Sequence, residues 1–190
     1  MKLSTITLAL ALAVPVLAFG DKTDYYEAYS FEYAGVTLPY RQLTLNPDME
    51  GGALIVIQLR GGSARGNDNV AQLNAAAVDS VENFLANYPA KSIFLLPQCA
   101  SNRQWNESPR TQPTPMTDIL TQWLNDFISN NDVNTNRIYI TGYSMGGSGT
   151  WRMLNDNPET FAAACIAAAN PIMVEAVNVC HTPVWTKVML

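Results

Sequence analysis

The stretch 137–147 leaves the chain few ways to fold. It reads Arg-Ile-Tyr-Ile-Thr-Gly-Tyr-Ser-Met-Gly-Gly. Ile138 and Ile140 are β-branched and Tyr139 is aromatic, so this part suits a buried strand. Thr150-Trp151-Arg152-Met153-Leu154 downstream reads as a helix. Between them Gly142, Ser144 and Gly146 spell G-x-S-x-G, and the strand has to become a helix within that pattern. Strand and helix backbones then pass so close that only residues without a side chain fit on either side of the serine. A turn of this kind strains the serine and pushes its Oγ out above the end of the sheet. The helix that follows points its N-terminus at the same place, which favours negative charge developing there. The bare pattern is weak, because glycine and serine are common. The apolar strand before it and the helix after it are what strengthen it. The plainer alternative is a glycine-rich turn whose serine only caps the helix.

The rest of the chain has room for one domain around that turn. It has 190 residues, 48% of them apolar and 14% charged, which excludes a disordered chain. The net charge of −5, with no basic cluster, argues against nucleic acid as a partner. There is no internal repeat. Residues 1–19 read as a signal peptide: Lys2 gives a positive start, 3–16 is mostly apolar, and Val16-Leu17-Ala18 ends in the small residue expected near a cleavage site. A spanning helix needs about twenty apolar residues, more than this run offers. The alternatives are a membrane anchor or a buried first helix. The expectation is therefore a mature chain beginning near Phe19 or Gly20, secreted or periplasmic, with no stable membrane span after signal removal and one domain over 20–190. Export permits disulfides. With three cysteines, Cys99, Cys165 and Cys180, at least one stays unpaired. Cys165 lies in an apolar run and reads as a buried, inert thiol. A Cys165–Cys180 bridge is the other possibility. No spacing of Cys and His suggests a metal, and no cofactor signature is present.

Residues 25–33 and 36–45 read as two strands joined by a tight turn at Ala34-Gly35. Pro39 assigns the second to an edge, because proline cannot donate to a ladder. The continuous apolar run 53–59 reads as a strand buried on both faces. A glycine-rich loop, 60–69, follows. Residues 70–88 have helical periodicity, with Leu73, Ala76, Ala77, Val81, Phe84, Leu85 and Tyr88 on one face. A second buried strand, 92–96, leads to a long loop, 97–115, of the length that is often functional. Thr117 reads as the N-cap of a helix through Ile128, with Ile119, Leu120, Trp123, Leu124, Phe127 and Ile128 inward. After the central turn come an apolar run, 161–169, a short helix within 171–179, and a last strand, 182–188. Strands alternating with helices predict a layered α/β domain with a mostly parallel sheet. Ligands collect beyond the carboxyl ends of such strands. Loop 60–69, loop 97–115 and Ser144 should meet there.

These pieces together resemble the α/β-hydrolase superfamily, and within it the secreted esterases and predicted peptidases of the phospholipase/carboxylesterase and feruloyl-esterase-like group. The likeness is carried by 59–69, by Leu96-Pro97-Gln98-Cys99, by the turn at Ser144 with Gly147-Ser148-Gly149-Thr150-Trp151, by 158–163, and by Thr182-Pro183-Val184-Trp185. They stand in the family's order and spacing from about residue 36 to 185. The resemblance implies a three-layer α/β sandwich with a mostly parallel sheet, missing the last strand and helix. It implies a serine-nucleophile hydrolase of carboxylic esters or peptides, with no cofactor. Ser144 would be the nucleophile. The Met145 N–H would be one oxyanion donor, and Gly62 or Ser63 would supply the second. Trp105 and Tyr143 are natural contacts for a sugar or an aromatic ester, so the expected partner is a small-molecule or polysaccharide-linked ester.

Two departures limit that reading. The family usually has His-Gly where this chain has Arg60-Gly61, which either shifts the loop or leaves it intact with Arg60 at the surface. The catalytic acid and histidine would follow the strand at 182–188, but the sequence stops at Leu190. Serine is a poor nucleophile unless a neighbouring base takes its proton. The one histidine, His181, precedes the last strand and so falls at the wrong end of it. Impaired catalysis is therefore expected, with an uncovered sheet edge and apolar face, as a premature end or frameshift near Thr186 would produce. A non-catalytic carbohydrate- or ester-binding module and a non-functional gene fragment are the alternatives.

Overall fold

A computed structural model describes residues 21–172 and 174–187. The signal peptide expected at 1–19 lies outside the described residues. The apolar run becomes strand β3 (Ala53–Leu59), and six of its seven residues are buried. The remaining strands are β1 (Glu27–Tyr33), β2 (Val36–Leu45), β4 (Ser92–Pro97), β5 (Val133–Tyr143), β6 (Ala163–Ala167) and β7 (Val184–Lys187). They form a single sheet in the order β1-β2-β4-β3-β5-β6-β7. β1 and β2 are antiparallel and joined by the expected turn, with Ala34 and Gly35 both at positive φ. β4, β3, β5, β6 and β7 run parallel.

The helices are α1 (Lys22–Tyr25), α2 (Ala76–Ala86), α3 (Met116–Asn130), α4 (Met145–Asp156) and α5 (Ala176–Val179). Alternate residues of the central strands point to opposite faces. Ile55, Ile57 and Leu59 of β3 pack with Ile119, Trp123, Phe127 and Leu154 from α3 and α4. Leu54 faces the other way, with Val78 and Leu85 of α2. The result is the three-layer α/β sandwich that the sequence predicts.

Four expectations are corrected. β2 is not an edge strand, because it pairs with β1 on one side and β4 on the other. Pro39 is tolerated there because its carbonyl accepts from Gln98 N–H at 2.8 Å, just past the final pair Tyr40 and Pro97. The N–H that proline lacks falls where the β2–β4 ladder has already ended. The helix expected from residue 70 starts only at Ala76. The Asp68 carboxylate accepts from Val70 and Ala71 N–H and sets a separate 3₁₀ turn, Ala71–Leu73. The phase read across that break was therefore off: Val78, Glu82 and Leu85 are buried, whereas Ala76, Ala77 and Phe84 are exposed.

Glu82 breaks the apolar pattern because it is satisfied by the Tyr26 hydroxyl at 3.0 Å, the Tyr25 hydroxyl at 3.1 Å and the Lys22 ammonium. Thr117 is not the cap of α3. The helix begins one residue earlier, and Glu107 Oε2 accepts from Met116 N–H at 3.1 Å, a carboxylate on a helix N-terminus. Cys165 is exposed rather than buried, because among the described residues no helix packs over its side of β6, and all three cysteines are free.

α2 covers only part of its face of the sheet. Beside it runs an apolar groove of about 540 Å³ lined by Val56, Val81, Phe84, Tyr88, Tyr139 and Cys165 among others. β7 is the outer strand of the sheet among the described residues, and its Trp185 is 59% exposed. Among the described residues no helix is long and apolar enough to cross a membrane.

Candidate active site

β5 lies between β3 and β6, in register so that Leu59 faces Gly142 on one side and Ile166 faces it on the other. The chain leaves β5 at Tyr143 and enters α4 at Met145, so Ser144 alone makes the turn. Ser144 has φ 54° and ψ −120°, a strained conformation for a residue with a Cβ. Its N–H donates to the Ala167 carbonyl at 2.9 Å, which fixes the turn against the end of β6. Its side chain makes no capping bond to the helix, so the plainer reading of a serine that merely caps α4 is set aside.

The glycines around it are required by contact. A Cβ on Gly142 would lie 2.2 Å from the Gly146 carbonyl oxygen, and one on Gly146 would lie 1.9 Å from the Leu59 carbonyl oxygen. Strand, turn and helix therefore interlock backbone to backbone.

The loop after β3 passes directly beside this turn. A Cβ on Gly61 would sit 3.7 Å from Ser144 Cβ, and one on Gly62 would sit 3.9 Å from Met145 Sδ. Gly62–Ala64 form a 3₁₀ turn, closed by Ala64 N–H donating to the Gly61 carbonyl at 3.0 Å. The leading N–H groups of such a turn, on Gly62 and Ser63, have no partner within it. Met145, the first residue of α4, has no intrahelical acceptor for its N–H for the same reason. The loop is pinned from behind. Gln98 Nε2 donates to Asp68 at 2.7 Å, and Asn69 N–H donates to Gln98 Oε1 at 2.7 Å. The Gln98 bond, with the Val70 and Ala71 N–H groups, holds the Asp68 carboxyl below its usual range.

Trp105 is corrected as a substrate contact. It is wholly buried, donates its indole N–H to the Arg60 carbonyl at 3.0 Å, and packs where a Cβ on Gly149 would come within 2.3 Å. Its role is to wedge loop 97–115 beneath the loop that follows β3. Tyr143 is half exposed and lies against Gly61 at the rim. Arg60 is partly buried. Its Nε is buried without a hydrogen-bond partner, and burial lowers the guanidinium pKa.

The cavity at Ser144 is about 340 Å³ and is lined, among the described residues, by Met145, Ser148, Ala168, Ala169, Asn170 and Ile172, none of them ionisable. The larger groove beside α2 does not include Ser144 and carries no comparable strained nucleophile.

Among the described residues Ser144 Oγ has no hydrogen-bond partner. His181 is exposed and precedes β7 at the end opposite Ser144. β6 and β7 are parallel, with Ala164 beside Val184 and Ala167 beside Lys187. Ser144 bonds to Ala167, so His181 stands off by the length of the strand and more, roughly 15–20 Å along the sheet. The sequence reading singled out neither Glu107 nor Gln98. Both are polar residues of a long loop, and only their partners mark them; Gln98 sits in the segment Leu96-Pro97-Gln98-Cys99 that carries part of the family likeness.

Sheet order, interlocked turn and adjacent loop define an esterase- and peptidase-like α/β-hydrolase fold, and the comparisons agree. Residues 103–186 match the prolyl oligopeptidase family. Among solved structures the chain is similar to a thermostable esterase, with 27% identity, a TM-score of 0.68, 86% of this chain covered and 46% of that one. It also resembles in fold an S-formylglutathione hydrolase from Staphylococcus aureus, with 14% identity, a TM-score of 0.59, and 82% and 64% covered. A ferulic acid esterase gives 15% identity, a TM-score of 0.57, and 76% and 60% covered. The chain thus spans about half the length of the thermostable esterase. No curated protein matches the sequence.

Proposed function

We propose that this chain is a serine-nucleophile hydrolase domain acting on carboxylic esters or peptides, with Ser144 as the attacking residue. The observation that carries the reading is Ser144 at φ 54°, uncapped and held against the glycine loop that follows β3. Ser144 Oγ adds to the carbonyl carbon, and the oxyanion is received by Met145 N–H and by Gly62 or Ser63 N–H. Losing one such donor typically costs about a hundredfold or more in rate. The alcohol or amine leaves with a proton, and water then releases the acid from Ser144.

Catalysis is expected to be impaired. Among the described residues neither imidazole nor carboxylate reaches Ser144 to take its proton, and a base has to lie within about 3 Å. A small-molecule or polysaccharide-linked ester is the proposed substrate, with Tyr143 at the rim. That no base lies within reach of Ser144 among the described residues favours a second reading, a module that binds such esters without turning them over.

A fluorophosphonate probe separates the two, because it reports whether the serine is reactive without requiring turnover. The expected result is labelling at Ser144, abolished in Ser144→Ala. If the folded chain stays unlabelled while binding an ester tightly, the hydrolase reading fails and the module stands.

A further inference from the structure

The chain is acidic overall, with 16 Asp and Glu against 11 Lys and Arg. The loop beside Ser144 goes against that balance, with Arg60 directly before Gly61 and Arg65 directly after Ala64. The Arg65 side chain folds back over the loop. Its Nε donates to the Gly62 carbonyl at 3.1 Å, and one terminal nitrogen donates to the Arg103 carbonyl at 3.4 Å. A Cβ on Gly62 would lie 3.8 Å from Arg65 Nε and 4.0 Å from its other terminal nitrogen. That same Cβ would lie 3.9 Å from Met145 Sδ, so the guanidinium and the residue after Ser144 flank one glycine.

Arg65 is exposed, and among the described residues no carboxylate lies within ion-pair distance of it. The acids of the two adjoining loops are engaged elsewhere. Asp68 accepts from Gln98, Val70 and Ala71, and Glu107 pairs with Arg103. Gly61 lies against Ser144 and the next residue, Gly62, lies against Arg65, so the guanidinium sits one residue further along the loop from the nucleophile. On the other side of Ser144 none of the described residues lining the cavity is ionisable.

We infer that Arg65 is a specificity residue selecting esters that carry a second, anionic group: the carboxylate reaches over Gly62 to the guanidinium while the neutral end occupies the cavity at Ser144. This rests on the proposed role of Ser144. Among the described residues the second terminal nitrogen has no hydrogen-bond partner and can complete a charge-assisted bond, and the Gly62 contact holds the fork in place beforehand. The anionic group belongs either to the acyl part or to the alcohol part of the ester, and the two are separable.

Calorimetry on Ser144→Ala, which cannot turn ligands over, tests this with monomethyl succinate, whose carboxylate is on the acyl side, and 4-acetoxybenzoate, whose carboxylate is on the alcohol side. Their neutral counterparts are dimethyl succinate and methyl 4-acetoxybenzoate. One of the acids should bind about threefold to fivefold more tightly than its neutral counterpart, as an ion pair to an exposed guanidinium would give. Arg65→Gln in the same background should abolish that margin without weakening the neutral ester, and Arg65→Lys should restore part of it. No margin for either acid overturns the inference. So does an equal loss for acid and neutral ester in Arg65→Gln, which would make Arg65 only a brace for Gly62. Fluorophosphonate labelling of the wild-type chain keeps the two claims apart. A labelled serine without carboxylate preference sinks the inference alone; an unlabelled serine with Arg65-dependent binding sinks the hydrolase reading alone.

Discussion

Replacing Gly146 by alanine sets two effects of opposite sign against each other. Alanine in place of glycine inside a helix is worth about 1 kcal/mol in favour of folding. Against that, the new Cβ would lie 1.9 Å from the Leu59 carbonyl oxygen and 2.8 Å from that of Arg60. A carbon normally keeps about 3.5 Å from such neighbours, so β3 or α4 has to yield by roughly 1.6 Å. β3 is hydrogen-bonded on both sides and cannot give. α4 would therefore move and loosen Trp151, Met153 and Leu154, which are all buried. Overpacking of this kind costs about 1–3 kcal/mol and more where the surroundings are rigid, so a net loss of about 2 kcal/mol or more is expected. With a urea m-value of about 1.5 kcal/mol/M, the midpoint followed by tryptophan fluorescence should fall by more than about 1 M. Gly61→Ala is the control. Its Cβ would meet nothing nearer than 3.5 Å, and its midpoint should stay within about 0.3 M of wild type. If Gly146→Ala melted at or above wild type, helix propensity would have won and the interlocked turn would be the wrong explanation for the glycine.

Two further outcomes follow from titratable groups. Burial pushes the Glu107 carboxyl up, but the Arg103 fork with Gln104 and Met116 N–H outweighs it and leaves the pKa below the ordinary 4.5. A depressed folded-state value means that the contribution is fully present above pH 4.5 and is lost as the pH falls below it. Glu107→Gln should therefore lower stability at pH 7 by about 1–2 kcal/mol and flatten the acid limb of the melting curve below pH 4.5; an unchanged acid limb would refute the assignment. Burial raises the Cys99 thiol to about 12, while Cys165 and Cys180 are exposed. A thiol reagent at pH 8 should modify the latter two in the native chain and reach Cys99 only after denaturation. Early modification of Cys99 would contradict its packing beneath the loop.

The central sheet could be read from the sequence because its signals are local. The run at 53–59 has no polar interruption except Gln58, and Ile138, Tyr139 and Ile140 precede two glycines whose spacing admits a single turn. The inward face of α3 could be read for the same reason, with Trp123, Leu124 and Phe127 at helical spacing. Long-range partners were what local pattern missed. Glu82 looks like a surface residue until Tyr25, Tyr26 and Lys22 are brought to it from more than fifty positions upstream. Pro39 suggests an edge until the end of the β4 ladder is known. An exposed aromatic in a loop and a buried one look alike in sequence, so Trp105 was expected at the cleft, whereas its indole is tied to the Arg60 carbonyl underneath. Arg65 gave no signal at all, since only its distance to Gly62 distinguishes it from any other loop arginine.

The interlock at Ser144 is made by main-chain atoms, with Gly142 against Gly146, Gly146 against Leu59, and Gly61 against Ser144. Of the side chains at the rim, Ile172 takes no part in it, Tyr143 only rests on Gly61, and Arg65 bonds to Gly62 one residue further on. The position of Ser144 and the shape of the rim are therefore set largely by different parts of the polypeptide. Substitutions at the rim can redraw the mouth while the turn keeps its place, and this separation leaves the scaffold adaptable.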